Sequence, residues 1–202
     1  MHWKPAESIS EHTVQFFDSS RSLADSVAQF LVTGLERGEN LLLVATPEHR
    51  ELLAKRLTDR GWPVRALIAA NRLVILDAGQ TLDKFMRQDT PSPVAFDEVV
   101  GTLVHRLANG KRLWIYGEMV DVLAARGNYR AAEQLEEMWN MLAQRECFTL
   151  FCGYASGHFG DPRTAGSLAA ICESHGKVHR KSTDILAEFL LNQQDVKASA
   201  AR

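Results

Sequence analysis

The chain has 202 residues, of which 46% are hydrophobic and 24% charged, and its net charge is −2. This is the composition of an ordinary globular protein with one good-sized core, and it gives no electrostatic case for binding nucleic acid or an anionic membrane. The apolar runs are far shorter than the roughly 20 residues that cross a bilayer. Residues 1–10 also lack the apolar segment of a secretion signal, so we expect a cytoplasmic protein with no direct nucleic-acid or membrane contact.

The first predicted unit is a buried strand, a polar turn, a helix and a second buried strand. HTVQFF at 12–17 is predicted to be the first strand, residues 23–39 the helix, and LLLVAT at 41–46 the second strand. This order is typical of nucleotide-binding units, whose phosphate loop is rich in glycine and ends in Lys-Ser/Thr. Here the turn at 18–22 reads DSSRS and has neither glycine nor lysine. The sequence therefore argues against nucleotide hydrolysis and favours a binding or sensing role.

Short apolar runs recur along the whole chain and are predicted to be strands covered on both faces. They are Val14–Phe17, Leu41–Ala45, Leu73–Leu76, Leu113–Tyr116 and Phe148–Cys152. Amphipathic helical stretches separate them, which predicts right-handed crossovers and a mostly parallel sheet with helices on both faces.

The C-terminal part of the chain has a helical pattern. Residues 163–194 are predicted to form two helices, with His175 on the apolar face of the first. We expect one domain over residues 12–194 and flexible termini at 1–11 and 195–202. The three cysteines are an odd number without framework spacing, so a disulfide scaffold is not expected.

A set of short motifs occurs in a characteristic order over most of the chain. In chain order they are HTVQFF (12–17), GLERGE (34–39), LDA (76–78) with Thr81-Leu82, YGEM (116–119), LEEMWN (135–140), FCGY (151–154) and His175. Together they resemble the MEDS family, the sensory domain named for methanogens, methylotrophs and the regulator DcmR. Residues 30–49 also resemble the helix-to-strand passage of KaiC and RecA-like ATPases.

The resemblance implies a RecA/KaiC-like three-layer sandwich whose ATPase machinery has decayed, acting in a bacterial or archaeal regulator. It implies signal transduction without catalysis and without a cofactor. Because the sequence carries no kinase or DNA-binding motif, the signal would pass to a separate protein partner. A homo-oligomer is compatible with the resemblance, since RecA-like domains often associate side by side.

The carboxyl ends of the strands are where open α/β sheets bind ligands. Residues 18–22, 46–49, 117–118 and 153–154 are predicted to lie there. In an ATPase of this type these positions would hold phosphate, the catalytic carboxylate, magnesium and the sensing group. With His175, which matches the family pattern, the candidate ligand-binding residues are Asp18, Ser20, Arg21, Glu48, His49, Glu118, Tyr154 and His175.

Each candidate has a structural alternative. Residues 18–22 either offer helix N–H groups to an anion or cap the helix, and capping is the ordinary use of such residues. Glu48 either acts as a base or complements a helix dipole. Glu118 either holds a ligand or a histidine, or caps the helix that begins near Met119.

The histidines and cysteines give weaker signals. His12 and His175 sit at apolar positions, where a lone histidine is more often structural, and His12 is expected at the opposite sheet end from Glu118. We predict no metal site, although Cys172, His175 and His179 share a helical face to which Cys147, Cys152 or His158 would have to come near. Cys152 would act as a redox sensor only if it were exposed and had a depressed pKa.

Two further alternatives concern a pocket and catalysis. Trp139 is predicted to pack in the core, or to line a small-molecule pocket with Tyr154 and Phe159. An enzyme would be a nucleotide-binding or hydrolytic protein of RecA/KaiC type with a non-standard phosphate loop, built on Glu118 and a histidine. No nucleophile–base–orienter spacing supports it, so a non-enzymatic function is predicted.

Overall fold

The central element of the computed structural model, which describes residues 11–180, is a six-stranded parallel sheet. The strands are β1 (His12–Phe17), β2 (Asn40–Ala45), β3 (Leu73–Asp77), β4 (Met86–Arg87), β5 (Thr90–Pro91), β6 (Leu113–Gly117), β7 (Phe148–Ala155) and β8 (Lys177–Arg180). The sheet order is β3-β2-β6-β7-β1-β8, and β4 and β5 form a separate antiparallel pair. All five predicted strands are present, and the predicted α/β sandwich with a mostly parallel sheet is confirmed.

Helices cover both faces of this sheet. They are α1 (Ser20–Glu36), α2 (Pro47–Asp59), α3 (Val64–Ala69), α4 (Ala78–Phe85), α5 (Pro93–Phe96), α6 (Thr102–Ala108), α7 (Met119–Ala125), α8 (Tyr129–Ala143) and α9 (Ala165–Ser174). A π-helical segment, Asp97–Gly101, joins α5 to α6, and 3-10 turns occupy Ser156–Phe159 and Pro162–Thr164. The first three helices pack on one face and α4–α9 on the other.

Strand β2 shows why the sheet is a middle layer. Leu41 and Leu43 pack toward α1–α3, whereas Leu42 and Val44 pack toward α4–α9, because successive side chains of a strand point to opposite faces. The three leucines are completely buried. Burying a leucine contributes about 1.5–3 kcal/mol, so an apolar run without alternation is stable only between two helical layers.

Helix α1 lies unusually close to the sheet at Gly34. A Cβ atom there would come within 2.7 Å of Cγ of Trp114 on β6, so no larger side chain fits without movement. The helix ends at Glu36 with Arg37 as its C-cap, and the next residue, Gly38, has a φ of +72°, which glycine adopts at little steric cost. This packing gives the GLERGE motif a structural explanation.

The predicted helical continuation beyond Ser174 is wrong within the described residues. Helix α9 ends at Ser174, His175 is extended, and Lys177–Arg180 forms β8 beside β1. The N–H of Gly176 donates to the carbonyl of His12, so the chain joins the otherwise open edge of β1 instead of continuing as a helix. Cys172, His175 and His179 therefore do not share a helix face.

The remaining predictions for the chain ends fall outside the described residues. They concern the second C-terminal helix over residues 181–194 and the termini at 1–10 and 195–202. Among residues 11–180, no helix combines the length and apolar character needed to cross a membrane.

Candidate functional site

Glu118, directly after β6, is the centre of a buried polar group at the carboxyl ends of the strands. Its side chain is completely buried, and its backbone N–H donates to the carbonyl of Val44 at 2.9 Å. Its carboxylate accepts hydrogen bonds from the Tyr116 hydroxyl at 2.5 Å, from the Thr46 backbone N–H at 2.7 Å and from His49 Nδ1. The protein itself thus satisfies this buried carboxylate.

The alternatives for Glu118 are resolved in part by these contacts. Glu118 occupies the N-cap position of α7, but its side chain makes no cap hydrogen bond. It links instead to His49, as one interpretation of the sequence predicted. Whether it also contacts a ligand remains a prediction.

His49 lies in the first turn of α2 and is buried at the same edge. Burial by itself lowers the pKa of His49, but the hydrogen bond and the charge of Glu118 outweigh it, so the pKa is raised. The ring packs edge-on against Phe17 at 5.7 Å between centroids. Its Nε2 atom is buried without a hydrogen-bond partner among the residues that the structure describes.

Two further carboxylates lie at this edge of the sheet. Asp121 accepts a hydrogen bond from the Ala155 backbone N–H at 2.8 Å and lies 3.2 Å from His158 Nε2. Burial raises the pKa of Asp121. Asp18 accepts a hydrogen bond from the Ser156 hydroxyl at 2.5 Å. We call Asp18, His49, Glu118, Asp121 and His158 the strand-end cluster.

The turn after β1 acts as a helix cap. The Ser19 hydroxyl accepts a hydrogen bond from the Ser22 N–H at 3.3 Å, as expected for an N-cap residue. Ser20 is the first residue of α1, and the Arg21 side chain is exposed. The N-cap residue is thus Ser19, and the Asp18 carboxylate accepts a hydrogen bond from Ser156.

The other candidates divide between the two faces of the sheet. Glu48 is exposed in the first turn of α2, where a negative charge complements the helix dipole. Tyr154 and His175 are buried on the opposite face, toward α4–α9, and do not belong to the strand-end cluster. His12 lies with them and not with Glu118, as expected.

Glu136 of α8 lies at the centre of a second buried polar group. We call His12, Glu136, Cys152 and His175 the Glu136 cluster. The Glu136 carboxylate is fully buried and accepts a hydrogen bond from the Tyr154 hydroxyl at 2.9 Å. Burial alone would raise the pKa of Glu136, but the charge of His175 and the hydrogen bond and charge of His12 lower it to about 2.

Two predictions about the buried groups are decided by this geometry. Cys152 is completely buried, and burial with the charge of Glu136 raises its pKa well above the usual value, the opposite of what a redox-sensing thiol needs. Trp139 is a core residue that packs edge-on against Phe96 and Phe148, at 5.3 and 5.9 Å between ring centroids.

Sequence reasoning missed Asp121 and Glu136 as site residues. Glu136 follows Leu135 and precedes Trp139 by three positions, so it borders the apolar face of α8. A carboxylate at such a position signals a buried partner. Asp121 occupies the first turn of the helix that follows β6, which places it at the edge where ligands bind in this class of fold.

Comparisons with known proteins give a family and a structural relative. The model of the MEDS domain, described as the methanogen/methylotroph, DcmR sensory domain, matches residues 11–175. No curated protein gives a significant match. A crystal structure of a KaiC-like protein from the hyperthermophilic archaeon Pyrococcus horikoshii OT3 is similar, with a TM-score of 0.49 and 19% identity. The similarity covers 72% of this chain and 64% of that one. Because the family model matches most of its length, the chain belongs to the MEDS family of sensory domains.

Proposed function

We propose that this chain is a non-enzymatic sensory domain that binds a small ligand, or a regulatory protein partner, at a degenerate nucleotide-type cleft. The observation that carries the proposal is the state of the Glu118 carboxylate. At this position a RecA/KaiC-like ATPase would need a carboxylate that reaches magnesium. Here it is buried and holds hydrogen bonds from Tyr116, Thr46 and His49.

The surroundings disfavour a triphosphate as the ligand. The turn after β1 uses Ser19 to cap α1, and its residues include no glycine that would let the backbone wrap phosphates. Asp18, Glu118 and Asp121 place three carboxyl groups at the same edge. The charge on these carboxylates that His49 and His158 do not neutralise repels phosphate, whereas a neutral or cationic small molecule avoids this repulsion.

His49 is the best-placed contact for such a ligand. Helix α2 leaves β2 toward one face of the sheet and α7 leaves the adjacent β6 toward the other, which is the geometry that places ligands in open α/β sheets. Within residues 11–180, His49 Nε2 is buried without a hydrogen-bond partner, so a ligand atom would satisfy it.

The same histidine supplies a route for the signal. Its Nδ1 bonds to Glu118, and this bond ties the start of α2 to the end of β6. A ligand with different affinities for the paired and unpaired arrangements shifts the population of α2 positions. A partner protein would then read the change.

A thermal-shift screen tests the proposal. Wild type, His49→Gln and the matched control Glu48→Gln, which alters the exposed neighbour, are screened against small organic molecules and against ATP and ADP with magnesium. A hit that stabilises wild type and Glu48→Gln but not His49→Gln supports the proposal. At a ligand concentration of 100 Kd the expected stabilisation is about 2.7 kcal/mol.

The enzymatic alternative predicts different outcomes. A nucleotide-binding or hydrolytic enzyme would be stabilised by ATP with magnesium, and would show turnover that disappears in Glu118→Gln. Either result would overturn the non-enzymatic proposal.

Light scattering on the same samples measures whether the domain is a homo-oligomer.

A further inference from the structure

Four side chains with metal-binding chemistry meet in the core on the α4–α9 side of the sheet. They are the Glu136 cluster: His12 from the start of β1, Glu136 from α8, Cys152 from β7 and His175 after α9. All four are buried, and one nitrogen, sulfur or carboxylate oxygen atom from each lies within 4.8 Å of the other three. The proposed function does not use them.

Four separations within the cluster, measured to one or the other oxygen of Glu136 where it is a partner, match those between ligands of a single small cation. His12 Nε2 lies 3.2 Å from Glu136 Oε2 and 3.4 Å from Cys152 Sγ. Cys152 Sγ lies 3.6 Å from Glu136 Oε2, and His175 Nε2 lies 3.5 Å from Glu136 Oε1. Tetrahedral zinc, with bonds of about 2.0–2.1 Å to nitrogen or oxygen and about 2.3 Å to sulfur, separates its ligands by about 3.3–3.6 Å.

The hydrogen bonds around His12 direct its free nitrogen toward the cluster. Asn140 donates through Nδ2 to the Ser174 carbonyl at 3.0 Å, which turns its Oδ1 toward His12 Nδ1 at 2.8 Å. Because Asn140 Oδ1 only accepts, His12 Nδ1 must carry the hydrogen. The neutral ring therefore presents the lone pair of Nε2 to Glu136 and Cys152.

His175 is held in the same way by a different acceptor. Its Nδ1 donates to the Ile171 carbonyl at 2.6 Å, so in the neutral ring Nε2 carries the lone pair. The side chain is completely buried, and Nε2 has no hydrogen-bond partner among the described residues. Metal-binding histidines almost always donate their other ring nitrogen to a backbone carbonyl, a carboxylate or a similar acceptor.

Acceptors consequently face each other across the cluster. Two imidazole lone pairs point toward the oxygens of Glu136, whose orientation is fixed by the Tyr154 hydroxyl. Without a metal, the Cys152 thiol is a hydrogen-bond donor toward Glu136 Oε2 at 3.6 Å. One cation held between the two histidines, the sulfur and the carboxylate would be contacted by all of these groups at once.

We propose that the Glu136 cluster is a binding site for one divalent transition-metal ion of the zinc class, with two histidines, one cysteine and one glutamate as ligands. Binding converts the Cys152 thiol to a thiolate and releases its proton to solvent. The thiolate and the Glu136 carboxylate then balance the two positive charges of the ion. Four protein ligands complete a tetrahedral shell, as in metal sites that stabilise a fold.

Metal titration of the full-length protein tests the site. The protein is stripped with a chelator, and Zn²⁺ or Co²⁺ is added to the folded chain and, because the ligands are buried, also during refolding. We expect one equivalent to bind, and the Co²⁺ form to show the absorption of a tetrahedral ion with a thiolate-to-cobalt charge-transfer band. Cys152→Ser should lack that band. Cys172→Ser, which removes a half-buried thiol outside the cluster, should keep it.

A second variant keeps the test independent of folding defects at the ligands. Asn140→Ala removes the acceptor that orients His12, together with the hydrogen bond to the Ser174 carbonyl, and leaves all four ligands in place; it should weaken Zn²⁺ binding by about 10–100-fold while the Co²⁺ band remains. Circular dichroism verifies that each variant is folded. The proposal fails if wild type binds neither Zn²⁺ nor Co²⁺, whether the ion is added to the folded chain or during refolding. It also fails if the cobalt band persists in Cys152→Ser.

Discussion

Replacing Glu118 by glutamine perturbs the strand-end cluster with almost no change of shape. In wild type, the Tyr116 hydroxyl and His49 Nδ1 both donate to Oε1, and the Thr46 backbone N–H donates to Oε2. Glutamine keeps one acceptor oxygen and places an amide donor at the other position. At least one of the three buried donors then faces another donor.

The expected loss in the free energy of unfolding comes from the buried donor that Glu118→Gln leaves without an acceptor. Leaving one buried donor unsatisfied costs about 1–3 kcal/mol. Removing one partner of a buried ion pair costs about 3–5 kcal/mol. Because glutamine retains the oxygen and the volume of Glu118, we expect a loss between these limits, about 2–4 kcal/mol in the free energy of unfolding.

Urea denaturation of wild type, Glu118→Gln and Glu48→Gln measures this cost. Glu48 is the matched control, since it undergoes the same chemical change in the same region but is exposed. Its replacement should alter stability by less than about 0.5 kcal/mol. Equal losses in the two variants would refute the conclusion that the protein depends on Glu118 as a buried acceptor.

The pH dependence of that loss provides an internal check. The pKa of His49 is raised above 6.5 in the folded protein, so its pairing with Glu118 contributes fully below that pH. The contribution is lost as the pH rises through the folded-state pKa. The destabilisation by Glu118→Gln should therefore be larger near about pH 6 than near about pH 9. A difference that grows toward alkaline pH would contradict the assigned pairing.

Two further substitutions test the packing around the strand ends. Gly153→Ala places a Cβ atom 2.9 Å from the Tyr116 hydroxyl, so we expect a loss of about 1–3 kcal/mol, whereas Gly157→Ala, with nothing within 4 Å, should lose almost none; thermal unfolding compares them. Ser19→Ala removes the side-chain acceptor at the start of α1 and should cost about 0.5–2 kcal/mol, while Ser20→Ala should change stability by less than about 0.5 kcal/mol. Urea denaturation compares the two serine variants. Equal effects within the glycine pair or within the serine pair would contradict the structural assignment.

The layers of the fold were predictable because burial imposes a pattern on the sequence. The run Leu41–Ala45 is apolar without alternation, which only a strand covered on both faces requires, and the structure places it beside β6 and β3. Strand β8 was not predictable in the same way. Lys177–Arg180 is short and polar, and it forms a strand because β1 offers an open edge that the sequence does not reveal.

The candidate site was predictable only in its location. Parallel strands place their carboxyl ends at one edge, so Glu118 and His49 were expected together from order along the chain. Which face each buried residue occupies depends on strand register, and a change of one residue inverts it. Tyr154 was therefore grouped with the strand ends, and His175 was added from the family pattern, although Tyr154 bonds to Glu136 and His175 lies beside it on the opposite face.

The two buried carboxylates suggest how the domain divides stability from response. Glu136 connects α8 to β1 and β7 through buried side chains, so water does not compete for its carboxylate in the folded protein. Glu118 ties α2 to β6 through His49. The second ring nitrogen of His49 has no hydrogen-bond partner in the described part of the chain, and it lies at the edge where ligands enter this class of fold. Under the proposed function, a small ligand that satisfies this atom would shift the His49–Glu118 pair between its arrangements. On this argument, a ligand should move α2 before it moves α8, and hydrogen exchange of the two helices with and without ligand would show the order.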